Sequence, residues 1–231
     1  MSFEYDGMPQ GDDWMDFITH AGMVDGKDGF ERRLVDDLAA VGVRAFTVGR
    51  LKSAVRSVPP AIPVFIDWLN NLDSRVPGEE TRHRSGLRTS LIMALDDPAA
   101  KGDRAAVDAL FRQLDRRSPP LARPVQIWAT EVLGRIATKD DYERMLALTR
   151  RADLEDGTRI ALVRYLGRFR RAESRELARS YLERPIVRQE AIHTLGKVGT
   201  SDDIDAIAAY ANDDNPRVRR AVETALKKLR S

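Results

Sequence analysis

Residues 187–198 read VRQEAIHTLGKV, and the same order of apolar and basic positions returns in VRRAVETALKKL (218–229), TRIALVRYLGRF (158–169) and VQIWATEVLGRI (125–136). Aligned, the four segments carry arginine or glutamine second, an apolar residue fifth (Ala129, Leu162, Ala191, Val222), leucine ninth (Leu133, Leu166, Leu195, Leu226) and glycine tenth in all but the last. They are separated by 31, 29 and 33 residues. Apolar positions three or four apart share one stripe of an α-helix, so each segment is expected to be an amphipathic helix. A period of this length marks a repeat architecture, in which one unit cannot bury its apolar face alone and its neighbours complete the core.

Working outward, Thr138-Lys139-Asp140-Asp141 precedes an intervening helix expected over 140–151, and Thr200-Ser201-Asp202-Asp203 precedes one over 202–212. Thr138, and Thr200 or Ser201, suit the acceptor role at a helix start, where the aspartates also face the positive end of the dipole. Asn215 before Pro216 is a cap followed by the one helical position where proline loses nothing. The unit is therefore helix, short turn, helix, with hairpins expected at 58–95, 103–137, 140–170, 172–199 and 202–230. Upstream the pattern is worn: Val43-Arg44, Thr47 and Leu51 keep the spacing, as do Arg84, Leu87 and Leu91. Pro59, Pro60 and Pro63 open a helix carrying Val64, Phe65, Trp68 and Leu69, and the polar stretch 74–82 is expected to be a mobile loop. A helix at about 28–41, bearing Phe30, Leu34, Leu38 and Val41, would cap the stack, as terminal repeats must. The organisation is an acidic segment 1–27, a helical cap 28–57 and repeats over 58–231.

Composition agrees with a packed all-α chain and removes several functions. Of 231 residues 42% are hydrophobic and 32% charged, and none is cysteine, which excludes disulfides, thiol catalysis and cysteine metal sites. No apolar run approaches the roughly 20 residues of a membrane helix. The opening MSFEYDGMPQGDDW is acidic where a secretory signal is basic and then apolar, so a cytoplasmic location is expected. Residues 1–28 hold seven acids against Lys27, leaving 37 bases and 29 acids in the remainder: an acidic head of −6 before a basic body of +8. Arginine outnumbers lysine 31 to 7, which suits phosphate recognition but equally follows from coding bias.

A hairpin of about 30 residues whose second helix reads V-R-x-x-A-x-x-A-L-G-x-L resembles the HEAT-repeat superfamily, and the short period is most similar to the bacterial HEAT-like units first named from phycobilisome lyases. The stretch from Leu34 to Leu69 also resembles the opening of a bacterial HEAT-repeat family to which no activity is assigned. The resemblance implies a right-handed α-solenoid with protein binding on its concave face. It also implies that the repeated arginines, Arg159, Arg188 and Arg219 with Gln126 in the fourth place, are a structural ladder pairing with nearby acids such as Asp156 and Asp213 or Asp214.

Nine positions beyond that arginine, Arg135, Arg168, Lys197 and Lys228 recur; one turn earlier stand Glu131, Arg164, His193 and Thr224. Stacked repeats would align these on the concave surface as a mostly basic row fit for an acidic ligand. A cation in the last turn of a helix is, however, favoured by the dipole at about 0.3–1 kcal/mol whatever its function. The acidic, apolar run containing Trp14, Met15, Phe17 and Ile18 either docks in such a groove or caps the N-terminal repeat, and capping is the simpler reading. Trp68 and Trp128 fall on apolar stripes and are expected in the core.

Catalytic signatures are missing. His20, His83 and His193 lie in separate segments without metal-ligand spacing, and no metal or cofactor is expected. Leu195-Gly196-Lys197-Val198 imitates the tail of a phosphate loop, but Ala191 and Val198 stand where glycine and a hydroxyl are required. No Gly-x-Ser-x-Gly elbow is present. The expected function is a non-enzymatic interaction module for an acidic protein or peptide. The alternatives are a nucleic-acid-binding protein of the HEAT-like glycosylase kind, and a lyase or chaperone for a prosthetic group.

Overall fold

The computed structural model describes residues 3–17 and 30–230, so His20 and Ile18 lie outside the described residues. Twelve α-helices and no strand occur among them: α1 Phe30–Ala40, α2 Val48–Ala54, α3 Ile62–Arg75, α4 Arg82–Ala94, α5 Arg104–Leu114, α6 Arg123–Ile136, α7 Tyr142–Thr149, α8 Asp156–Leu166, α9 Ala172–Ser180, α10 Pro185–Val198, α11 Ile204–Ala208 and α12 Pro216–Leu229. The chain forms two compact units, Met1–Ile136 and Ala137–Ser231.

In the first unit, odd-numbered helices pack on one another in one layer (α1 on α3, α3 on α5) and even-numbered helices in a second (α2 on α4, α4 on α6). Between them lie Leu38, Leu51, Trp68, Leu69, Leu72, Leu91, Ile92 and Leu110, all essentially inaccessible. In the second unit α8, α10 and α12 stack as one layer, with α7, α9 and α11 outside them. Each unit is thus the two-layered stack from which a solenoid is made. Residues 3–16 lie on the first unit. Phe3 N–H donates to Gly42 O at 3.1 Å, the Tyr5 hydroxyl to Arg44 O at 2.8 Å and Arg44 to Gly11 O at 3.0 Å.

Helix starts follow the local chemistry. The Asp141 carboxylate accepts from Thr138 N–H and that of Asp203 from Thr200 N–H, both at 2.9 Å, closing capping boxes ahead of α7 and α11. Asn215 Oδ1 accepts from Arg217 N–H at 2.9 Å and Pro216 occupies the first turn of α12. Asp203 is fully buried, yet its charge is met by Arg175 Nε at 2.6 Å and Arg179 at 3.4 Å, which tie α9 to the start of α11.

Three expectations need correction. The worn repeat at 43–51 is not one helix: Thr47 is extended and caps α2 by accepting from Arg50 N–H at 3.1 Å, so Val43 and Arg44 precede the helix. α11 stops at Ala208, because tight turns from Tyr210 to Ile207 and from Ala211 to Ala208 replace the last α-helical bonds. The 74–82 stretch is tied down by arginines of α4. Arg84 donates to Gly78 O and, at 2.5 Å, to Asp73, while Arg88, 1% exposed, binds Glu80 at 2.8 Å and Asp73 at 3.0 Å. Arg116 from the end of α5 also reaches Asp73.

The layer α8–α10–α12 is set by its glycine positions. A Cβ on Gly167 would stand 2.8 Å from Thr194 Oγ1, and one on Gly196 would stand 2.9 Å from Ala225 Cβ and 3.0 Å from its Cα. The second contact is with backbone and cannot relax by a side-chain rotation. Gly196→Val is therefore expected to cost about 1–3 kcal/mol by overpacking, read as a thermal midpoint lowered by several degrees.

Burial opposes ionisation of Asp73, but hydrogen bonds and charge from Arg116 and Arg88 outweigh it and hold its pKa at about 2 instead of 3.8. A carboxylate depressed on folding contributes stability that is complete above its unfolded pKa and is lost as pH falls through the folded one. Asp73→Asn removes that contribution. The thermal midpoints of wild type and variant are expected to converge as pH is lowered from about 5 to about 2.

Candidate functional site

The repeated arginine is a turn clamp. Arg159, 5% exposed at the start of α8, donates to Leu154 O, to Arg151 O at 2.5 Å and to Thr149 O at 3.3 Å, and meets the Asp156 carboxylate at 3.3 Å. Arg188 donates to Leu182 O and to Asp213, both at 2.7 Å, and lies over the Tyr210 ring at 4.5 Å. Arg219 donates to the carbonyls of Asp213 at 2.7 Å and Asp214 at 3.1 Å. Gln126, the exception in the series, donates to Leu121 O at 2.9 Å. In each case one acceptor is a carbonyl five or six residues upstream, in the turn that precedes the helix. The acids are secondary, and for Arg219 the carbonyls of Asp213 and Asp214 serve instead of their carboxylates.

With the clamp residues turned toward the turns, a different face of the same helices meets solvent. On α8 this face carries Arg164, with Arg168 in the turn two residues past the helix end; on α10 it carries Ile186, His193 and Lys197, and on α12 Arg217, Arg220, Thr224 and Lys228. His193 is half-buried, while Arg164, Arg168, Lys197 and Lys228 are exposed. Continuity between α8 and α10 is direct, since Arg164 Nε lies 3.2 Å from Glu190. Arg168, Lys197 and Lys228 share one position of the repeat, one residue after Gly167, Gly196 and Lys227; Arg168 sits in the turn that ends α8, and Lys197 and Lys228 in the last turns of α10 and α12. Arg168 also stands over the Tyr165 ring at 5.3 Å. Ile186 is 54% exposed and lies 7 and 11 residues before His193 and Lys197, on their side of α10.

Arg135 belongs to the first unit and is engaged by acids, binding Asp96 and, at 3.4 Å, Glu131. Its helix carries the clearest error of the sequence reading, because Trp128, expected in the core, is 39% exposed. The equivalent positions hold Ala161 and Ala221, both buried, and Glu190, which is partly buried against Arg164, so the position is at the edge of the core stripe and a residue as large as tryptophan reaches solvent there. That Glu190 shares this position is the signal that separates it from the core stripe.

In the acidic head, Trp14 is 5% exposed and packs edge-on against Phe46, with centroids 6.5 Å apart. The Met15 carbonyl accepts from Arg32 of α1 at 2.5 Å. Trp14 is thus occupied by the N-terminal helices of its own unit. Ile18 and the Phe17 side chain lie outside what the structure describes. Among the described residues there is no group of three His, Asp or Glu able to hold a metal ion, and no helix is long and apolar enough to cross a membrane.

Removing a clamp should cost most where the guanidinium is buried. Arg159→Ala leaves the Arg151 and Leu154 carbonyls without their side-chain donor, while Asp156 keeps Arg184 at 2.7 Å and Thr149 O keeps the Tyr181 hydroxyl at 2.8 Å, and it is expected to lose about 3 kcal/mol in urea unfolding. Arg219→Ala, at an exposed site, should lose less than about 1 kcal/mol.

The family model described as HEAT repeats matches residues 148–227, within the second unit. No curated protein matches the chain.

Proposed function

Because residues 148–227 are HEAT repeats, which as a class mediate protein–protein interaction, we propose that this chain is a non-enzymatic scaffold whose second unit binds an acidic protein or peptide segment. The observation that carries this reading is the exposed face of α8, α10 and α12, where Arg168, Lys197 and Lys228 stand at equivalent positions and Ile186 is exposed beside them. Cations at a helical period attract an extended acidic chain and set its register, while a projecting aliphatic side chain supplies area that the partner can desolvate. A stack of repeats suits that task, since each helix adds one more contact to a continuous surface. Arg164 contributes less free charge than its exposure suggests, because Glu190 already faces it.

The acids of this unit support the assignment by where they are spent. Asp141, Asp156, Asp203 and Asp213 are committed to caps, clamps and ties between helices.

Affinity capture with the full chain as bait tests the proposal, comparing wild type with Arg168→Glu plus Lys197→Glu. The bound protein should be lost from the double variant while the thermal midpoint stays unchanged, and capture should persist at about 200 mM salt. A nucleic-acid ligand would instead show affinity falling roughly a thousandfold or more between about 50 and about 200 mM salt, for six or more phosphate contacts. Equal capture by wild type and double variant would remove this face from the binding site.

A further inference from the structure

A cleft of about 370 Å³ opens in the first unit where the ends of α2 and α6 meet the turn between α4 and α5. Its volume falls in the range of small-ligand sites, roughly 300–1,000 Å³. Six of its eight lining residues are ionic, Lys52, Arg56, Lys101 and Arg135 together with Asp96 and Asp97, and the other two are Pro98 and Ile136.

The two carboxylates are already in use. Asp97 is 5% exposed and turned into the fold, accepting from Ser57 Oγ and Val58 N–H at 2.6 Å and from Ala99 N–H at 2.7 Å. Asp96 holds Arg135. The cations are less well matched. Lys52 donates to the Asp96 main-chain carbonyl, which leaves its charge uncompensated. Arg56 and Lys101 are exposed, and their side chains make no ion pair or hydrogen bond among the described residues. Lys101 is nevertheless placed: the next residue, Gly102, has φ 79°, a conformation that favours glycine, and donates its N–H to Ile136 O at 2.8 Å, seating the turn against the end of α6. Three chain segments thus converge their cations on one cavity whose lining, with four bases and two acids, carries a net charge of +2.

We propose that this cleft binds a phosphate-type dianion, with Arg56 and Lys101 as its principal ligands and Lys52 assisting. A phosphate monoester carries about −1.5 to −2 at neutral pH and presents three acceptor oxygens, matching both the surplus charge and the several donors. A carboxylate supplies only half that charge. Asp96 is the resident competitor, holding Arg135 by the same kind of bond an incoming anion would make. None of these residues belongs to the acidic-partner face proposed for the second unit, so the two readings stand or fall separately.

Calorimetric titration of the full chain at low salt, with inorganic phosphate, sulfate, acetate and a short peptide bearing one phosphoserine, tests the site. Saturable binding of phosphate and sulfate is expected, with acetate weaker by about tenfold or more because it brings one charge in place of two. Arg56→Ala plus Lys101→Ala should weaken phosphate binding by about tenfold or more with no change in thermal midpoint, since neither side chain has a structural partner. Asp96→Asn should strengthen it severalfold. Tighter binding of the phosphopeptide than of inorganic phosphate identifies a protein-borne phosphate as the source, and the reverse identifies a free one. The proposal is overturned if no dianion binds saturably, if acetate equals sulfate, if the Arg56 and Lys101 variant binds phosphate as wild type does, or if Asp96→Asn binds it more weakly.

Discussion

One interaction underlies the rest of the structure: a side chain in the first turn of a helix reaching back to the carbonyls of the turn it has just left. A helix end leaves its last carbonyls without intrahelical partners, and a short turn cannot supply the missing donors from its own backbone. A guanidinium offers five N–H groups in a fixed fork, enough to serve several carbonyls at once. Arg159 does this for Thr149, Arg151 and Leu154, and Arg84, Arg188 and Arg219 do it for Gly78, Leu182 and Asp213. Gln126 shows that what the position requires is an N–H donor of sufficient reach, with positive charge dispensable. Because the clamp fixes the turn, it fixes how one helix leaves the previous one, and hence which residues of α8, α10 and α12 meet at their glycines.

The same economy decides where charge ends up. The chain carries 38 bases and 36 acids, which predicts almost no field, and several of the acids are committed to architecture. Asp97, Asp141 and Asp203 are buried among backbone N–H donors, and Asp73 gathers Arg84, Arg88 and Arg116. A buried carboxylate is tolerable only when its lone pairs are met, and these are. Lys197 on α10 and, around the cleft of the first unit, Arg56 and Lys101 have side chains drawn into no such pair among the described residues and stay exposed.

Much of this could be read in the amino-acid sequence, because the repeat prints its own register. Apolar spacing located the helices, the Thr-x-x-Asp pairs located two of their starts, and the glycine after Leu195 marked close helix packing, as Gly196 and, one repeat earlier, Gly167 show. The readings that failed did so where periodicity alone was consulted. Trp128 fits the stripe by spacing but not by volume, since its register position holds alanine in two other repeats. Thr47 fits the worn repeat by spacing but is a better cap than a helical residue. The 74–82 stretch looks like a free polar loop until Arg84 and Arg88 are seen to hold it from the next helix. The charged cleft was invisible for a related reason: Lys52, Arg56 and Lys101 come from helix ends and a turn, and no common register links them.

A cation in the last turn of a helix has a ready explanation in the dipole, so its presence alone says nothing about binding. What distinguishes the members of the row is what the fold does with each one. Arg135 is spent on Asp96 and Glu131, and Arg168 is laid over an aromatic ring, whereas Lys197 is exposed with no ion pair among the described residues. Dipole stabilisation acts on all of them alike and cannot generate such differences. They arise from neighbours: an acid one turn earlier on α6, a tyrosine three residues earlier on α8, and His193 on α10. A repeat architecture therefore hands every unit the same cation and lets local sequence decide whether it closes the scaffold or faces a partner.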